Sequence, residues 1–465
     1  MPTEVTVLQF HAARVAHCVA IAAVSTMLAT VCFCPPDARA ATDATRTPGD
    51  PSYDISLAGD AHGHRWTGTE SITFQNVATI TLDTVWLRLW SNGISGCARQ
   101  AITVSAVAGG TAGKLTVNCT ALPVALDTPL SPGATATISM HVAISVPARN
   151  DRFGYSGGLT MIGTALPTLA IHDGSGWHLD PFIDLGESFY SVIGSYHVTL
   201  AVPNALSTPT TGVLVSSSDN GNGTQTRVYA ANNVRDFEWA AGALDEVNGT
   251  DAGNDSVRVW YRPSEYSRAA AKRALATAIR SMNEFSRDFG PYPYGEVDVV
   301  LSPLPYGGME YPQIVFTRSG QLDIAHELAH QWWYGIVGND QFSSPWLDES
   351  FASWSEALPW TPYHCDGPYA WPSRAARLTN SMAYWGSHPK QYWIPYDQGT
   401  CALAAIADRL GLQPFIGVLR DYARDHWLGI STTADFKAAI AKAAANLAPG
   451  WDVDAFWQEW RIGAT

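Results

Sequence analysis

The sequence predicts a multidomain protein: an N-terminal antiparallel β domain followed by an α+β, mostly helical domain. Three observations carry this reading. Apolar residues alternate with period two between about residues 50 and 250, as in half-buried strands. Beyond Ser256 the apolar period becomes that of helices. The chain has 465 residues and is 46% hydrophobic, enough for more than one core.

The first 40 residues stand outside this fold. Arg14 precedes an uncharged stretch from Cys18 to Cys34, and Ala38-Arg39-Ala40 offers small residues where a signal peptidase reads. Residues 1–40 are therefore expected to be a signal peptide that exports the chain to the periplasm or the extracellular space. An uncleaved anchor is the alternative. The stretch is shorter than the ~20 apolar residues of a spanning helix, so no transmembrane span is expected after cleavage. Four cysteines follow it: Cys97, Cys119, Cys365 and Cys401. An even number in an exported chain points to two disulfides rather than free buried thiols. Of the three pairings, Cys97–Cys119 with Cys365–Cys401 keeps each bridge within one domain.

Residues 41–250 form the expected β domain. Val85, Leu87 and Leu89 alternate with Trp86, Arg88 and Trp90, and Ile138, Met140, Val142 and Ile144 repeat the pattern. Asn220-Gly221-Asn222-Gly223 marks a turn between two further strands. His172, His178 and Asp180 are scattered and suggest no chemistry. The turn-like Asn248-Gly249-Thr250 separates this domain from the second, residues 251–465. Ser256 to Tyr261 reads as a strand closed by Pro263. Ala269 to Asp288 reads as a helix with Leu275, Ile279, Met282 and Phe285 on one stripe, stopped by Gly290-Pro291. Val297 to Leu301 is a short strand, and helices follow up to Trp460. The formal charge is 28 − 42 = −14 with no basic run, which excludes nucleic acid as a partner.

The chemistry concentrates in His326-Glu327-Leu328-Ala329-His330, within a helix-compatible run from Ile324 to Trp333. Positions i and i+4 lie ~40° apart and ~6 Å along a helix axis. Both imidazoles then project from one face and can bind a single Zn²⁺, with Glu327 on the flank as a proton acceptor. A catalytic zinc takes three protein ligands. Glu349, in Trp346-Leu347-Asp348-Glu349-Ser350, follows His330 after 18 residues, room for a turn near Gly338-Asn339 and a returning helix. His364, His388 and His426 read as ordinary polar residues.

His326 to Glu349 resembles the HExxH-x18-E signature of the aminopeptidase N family of zinc metallopeptidases, the gluzincins. Gly307-Gly308-Met309-Glu310-Tyr311 is similar to that family's GxMEN exopeptidase motif, and Pro395-Tyr396-Asp397-Gln398-Gly399 to its catalytic tyrosine segment, often PYEKG. Weaker likeness extends over nearly the whole chain beyond residue 40. Gly68 to Asn76 and Val85 to Asn92 resemble strands of the N-terminal domain, and Val234-Arg235-Asp236-Phe237 resembles its end. The resemblance implies a thermolysin-like catalytic domain and one Zn²⁺ per chain, held by His326, His330 and Glu349. It implies Glu327 as general base and Tyr396 as the donor to the oxyanion. Glu310, with Gly307, Gly308 and Met309, would bind substrate, Glu310 taking the free α-amino group. The implied activity is that of a secreted aminopeptidase acting on peptides with a free N-terminus. A zinc endopeptidase with an open cleft, or a non-catalytic peptide-binding module, are the alternatives. Five departures stand out. Tyr311 replaces Asn, and Gln398 replaces Lys. Only 15 residues separate Glu310 from His326. The family's second amine-holding residue, from the N-terminal domain, is not found in the sequence. The helical C-terminal domain of longer relatives is expected to be missing.

Overall fold

The computed structural model describes residues 46–361, 365, 372 and 376–463. The expected signal segment and His364 lie outside the described residues.

The alternating segments build two sheets around one core. The larger has seven strands in the order Val213–Asp219, Thr224–Val234, Gly194–Pro203, Gly49–Gly59, Arg65–Gln75, Thr135–Ser145, Ile102–Ala108. The second has four: Thr168–Leu169, Leu82–Arg88, Ala121–Leu130 and Gly110–Ala112. Inward residues of both, among them Ile55, Leu57, Ile72, Ile138, Val142, Val85, Leu87 and Val124, share one core. Asn220 to Gly223 turns between two paired strands, as expected. Two features depart from the expectation. Gly49–Gly59 and Gly194–Pro203 pair in parallel at the centre of the large sheet. No hairpin joins these two strands, so turn geometry does not dictate their direction. Arg88, expected on the polar face, is buried; its guanidinium donates to the Asp180 carbonyl at 2.6 Å and lies 3.7 Å over the Trp90 ring. A single helical turn, α1 (Asn92–Ser95), follows. Buried Asn92 stands in for a strand partner there, accepting from Ile102 N at 2.7 Å and donating to the carbonyls of Ile102 and Cys119.

The second half is built on a five-stranded sheet, in the order Asp245–Thr250, Ser256–Tyr261, Glu296–Leu301, Ile314–Thr317, Gly308–Met309. This sheet begins at Asp245, and Asn248-Gly249-Thr250, expected as a turn between two domains, is instead the paired end of its first strand, with residues 251–255 leading into the second. Both halves belong to one compact unit. Helix α2 (Arg268–Phe289) starts at Ser267, whose hydroxyl accepts from Ala270 N, and ends before Gly290 at φ 121°. Its buried stripe is Ala271, Ala274, Ala278, Met282 and Phe285, packed on Val257, Val259, Val297 and Val299. The alanines let the helix approach the sheet closely, and Leu275 and Ile279 fall to its flank. The remaining helices are α3 (Gln321–Ala329), α4 (Trp346–Ser355), α5 (Met382–Ser387), α6 (Gly399–Leu410), α7 (Leu412–Asp425), α8 (Thr433–Leu447) and α9 (Val453–Glu459). Among the described residues no single helix is long and apolar enough to cross a membrane.

Both expected disulfides, Cys97–Cys119 and Cys365–Cys401, are formed. A buried arginine ties the β-rich half to the helical one. The Arg235 guanidinium donates to the carbonyls of Tyr334 (2.6 Å), Ser191 (2.9 Å), Ile336 (3.3 Å) and Gly429 (2.5 Å). A Cβ at Gly338 would collide with it, so glycine is required there.

Glu70, on Arg65–Gln75, is 1% exposed and neither carboxyl oxygen has a hydrogen-bond partner. Burial pushes its carboxyl well above the ordinary range. The folded state therefore holds the proton more tightly than the unfolded chain. Stability is highest below the unfolded value near ~4.5 and falls as pH rises through and beyond it. Glu70→Gln should raise the midpoint of thermal unfolding at pH 8, by about 1–3 kcal/mol of stability, with the gain vanishing toward pH 4. A pH-independent gap between the two proteins, or a loss at pH 8, would contradict this.

Candidate active site

Helix α3 presents His326 and Glu327 and is capped by His330. The chain does not continue as a helix to Trp333. It enters a π-turn, Gln331–Ile336, and Trp333 has left helical dihedrals (φ −96°, ψ 62°). Gln331 fastens this turn, donating to the Tyr311 carbonyl at 3.0 Å and accepting from Gln313 N at 2.8 Å. The turn swings the Trp333 carbonyl back to 3.1 Å from His330 Nδ1. A straight helix would not supply that acceptor.

The Nε2 atoms of His326 and His330 are 3.1 Å apart, and Glu349 Oε2 lies 3.3 and 3.6 Å from them. Donors held ~2.0–2.2 Å from one tetrahedral centre are about 3.3–3.6 Å apart, so this triangle fits Zn²⁺. Glu349 Oε2 has no hydrogen-bond partner and is free to ligate. The outward nitrogens are engaged: His326 Nδ1 lies 2.9 Å from Glu356 Oε2, and His330 Nδ1 lies 2.6 Å from Asp348 Oδ1. Carboxylates at Nδ1 fix the ring orientation that turns Nε2 to a metal. Asp348 is itself held by Gln341.

A cavity of about 670 Å³ opens over this triangle. Glu327 lines it, and burial pushes its carboxyl up to about 7 against the pull of both imidazoles. The strand Gly308–Met309 passes so close that a Cβ on Gly308 would lie 2.5 Å from the Glu327 carboxyl. Gly307 lines the same wall, while Met309 is buried behind it against Arg152 Nη1, at 3.2 Å. Tyr396 sits in a second π-turn, Ile394–Gln398, and donates to Glu349 Oε1 at 2.6 Å. The Pro395 carbonyl accepts from Ser350 on α4, which holds the tyrosine turn against the ligand helix. Glu310, just past the strand, is buried and its Oε1 lacks a protein partner. Tyr311, in place of asparagine, points away and packs on Gly163. Eight of the nine residues singled out in the sequence line this cavity, whereas Met309, expected to bind substrate, is buried behind its wall.

The structure adds Glu187, which sequence reading missed. It lines the cavity from the β-rich half and accepts from Arg152 Nη1 at 2.5 Å. Burial pushes Glu187 up to about 8; Arg152 opposes this and Glu349 adds to it. Glu310 is likewise pushed well up by burial, with Glu187 its strongest neighbouring charge. Two carboxylates and a guanidinium thus converge beside the triangle. Nothing in the local string Asp184-Leu185-Gly186-Glu187 signals this role. Asp348 and Glu356, which engage the outward nitrogens, were given no role by the sequence reading. His172, His178, Asp180, His388 and His426 do not line the cavity.

This donor set suits Zn²⁺ with a carboxylate base beside it. Residues 273–366 match the Peptidase family M1 domain. Aminopeptidase M1-D of Oryza sativa subsp. japonica is 25% identical over 256 residues, 45% of this chain and 28% of that protein. Aminopeptidase N of Oryctolagus cuniculus is 30% identical over 131 residues, 24% of this chain and 14% of that protein. The chain spans about a quarter of the length of the first curated relatives it matches. The crystal structure of the M1 zinc metallopeptidase of Deinococcus radiodurans shares the fold with a TM-score of 0.64 at 18% identity. That match covers 90% of this chain and 94% of the other. A mutant of the same enzyme, bound to Tyr-ser-ala substrate, gives a TM-score of 0.63 at 20% identity, over 90% of this chain and 95% of the other.

Two substitutions probe the site. Glu349→Ala leaves two imidazoles, so metal analysis after dialysis at low free zinc should find the metal largely lost; full retention would assign the third ligand elsewhere. Gly308→Ala should displace the Glu327 carboxyl and cut kcat about 10²-fold or more, the scale of a lost proton shuttle, with zinc content unchanged. Unaltered kcat would show that the wall can yield.

Proposed function

We propose that the protein is an exported zinc aminopeptidase that hydrolyses the N-terminal peptide bond of peptides. The observation that carries this reading is the pair of buried carboxylates, Glu310 and Glu187, facing one cavity with Glu327 and the ligand triangle. An unblocked α-ammonium is the cation such a pair suits. Fixed beside the metal position, it admits only the first peptide bond. The two disulfides support passage to an oxidising compartment.

Zinc, when bound, supplies Lewis acidity that activates water and polarises a carbonyl. Glu327 accepts the proton of the attacking water and returns it to the nitrogen that leaves. Tyr396 Oη donates to the carbonyl oxygen as it gains charge. The free edge of Gly308–Met309 aligns the substrate backbone by strand pairing. Glu310 and Glu187 hold the ammonium.

The test is a panel of aminoacyl reporters with free and N-acetylated ends, run with zinc and with chelator. Free reporters alone should be cleaved, and chelator should abolish the rate. Cleavage of acetylated reporters at equal rates would point to an endopeptidase, and no cleavage of either to a binding module. Tyr396→Phe should lower kcat about 10²–10³-fold with little change in KM and full zinc content, since the donor matters most in the transition state. A raised KM at constant kcat would make Tyr396 a pocket residue.

A further inference from the structure

We propose that the cleft wall beyond His326 is a subsite for a lysine or arginine side chain on the second residue of the peptide. The substrates would then be peptides in which a basic residue follows the free N-terminal one. This rests on the aminopeptidase reading above.

The two histidines mark two sides of the ligand triangle. Glu310 lies on the His330 side, where Glu310, His330 and Asp348 offer atoms within 4.8 Å of one another. Its buried, unpartnered Oε1 faces the cavity and fixes where the peptide begins. Glu356 lies on the opposite side, against His326. With the ammonium at Glu310 and the scissile carbonyl at the triangle, the next residue must pass His326.

That stretch of wall has a distinct chemistry. Glu349 and Ser353 on α4 and Glu356, which caps its C-terminus, fall at i, i+4 and i+7, one stripe that runs about 10 Å from the metal ligand to Glu356. Asp397 and Thr400 line the same cavity beyond Tyr396, with Asp397 close enough to Glu356 for their charges to repel. Leu322, four residues before His326 and 51% exposed, offers an apolar rest for the methylenes of a long basic side chain. The cavity's own arginines are engaged elsewhere: Arg152 pairs with Glu187, and Arg149 with Asp151 and Asp184. Asp323 is paired with Arg318. Glu356 has only the imidazole of His326, and Asp397 has no lysine or arginine partner among the described residues. The wall therefore presents two carboxylates, Glu356 held by His326 and Asp397 beside it, with no lysine or arginine partner among the described residues.

The experiment uses the zinc-loaded full chain and tripeptides X-Lys-Ala, X-Arg-Ala, X-Leu-Ala and X-Glu-Ala. X is the residue whose free aminoacyl reporter is cleaved fastest. At low salt, kcat/KM for lysine and arginine should exceed that for leucine about tenfold, and that for glutamate by more. The preference should shrink as salt screens it. Asp397→Asn should bring lysine and leucine within about threefold, and Asp397→Lys should favour glutamate, each variant being checked for zinc content. Equal rates on lysine and leucine peptides by an enzyme that cleaves the reporter would overturn the subsite and leave the aminopeptidase reading standing. An unchanged preference in Asp397→Asn would also overturn it. Failure to cleave any free-amine substrate would remove that reading and this one together.

Discussion

Crowding of like charges in a buried cavity is the constraint on which the rest of this structure depends. Glu187, Glu310, Glu327, Asp348 and Glu349 are all buried around two imidazoles. Carboxylates so placed do not all ionise without cations among them. Burial raises Glu187, Glu310 and Glu327, whereas the two imidazoles hold Glu349 well below its usual range. The two arginines that line the cavity are committed to carboxylates, Arg152 to Glu187 and Arg149 to Asp151 and Asp184. The arrangement therefore suits further cations: a metal at the triangle and, on the proposed function, an ammonium beside Glu310.

Holding that many acids together requires a rigid frame, and the frame is made of backbone contacts. Arg235 replaces its water shell with four carbonyls, so a buried charge costs less than its depth suggests. Two of those carbonyls belong to the π-turn after the histidine helix, so the β-rich half directly fixes the turn that serves His330. Close approach does the remaining work. A Cβ on Gly308 would press on Glu327, and one on Gly399 would collide with Ser350, where the tyrosine turn meets α4. The catalytic groups stand on helix ends and turns that cannot move independently.

What the sequence revealed and what it hid divide along physical lines. His326, Glu327 and His330 were legible because a helix converts a fixed spacing into a shared face. Glu349 needed in addition only a spacing that lets a second helix return, and the two disulfides an even count and pairing within one domain. Inward strand residues such as Ile138 and Val142 were legible because alternation is local. Glu187 was hidden because its meaning is set by Glu310, 123 positions away in sequence, and no local periodicity encodes that meeting. The parallel pairing of Gly49–Gly59 with Gly194–Pro203 was hidden for the same reason. The π-turn escaped because Gln331 and Trp333 are compatible with a continuing helix. Only tertiary hydrogen bonds to Tyr311, Gln313 and Ser355 end it. Arg88 and Glu70 broke the polar-out rule, the first by finding a carbonyl, the second without finding any partner.

The cleft is electrostatically asymmetric, and depth decides what each side can do. On the His330 side the acids are buried, so the field at Glu310 is little screened and an absent or blocked ammonium leaves it uncompensated. Such a site discriminates sharply between charge and no charge, which is what restriction to a chain end demands. On the His326 side, Glu356 and Asp397 are only half-buried. Solvent and salt weaken ion pairs there to the scale of partial preferences. The deep side can set where the chain is cut, and the shallow side can only rank which chains are cut faster. Exchanging the two would lose both properties, because a screened acid cannot exclude a blocked amine and a deep one would reject every uncharged second residue.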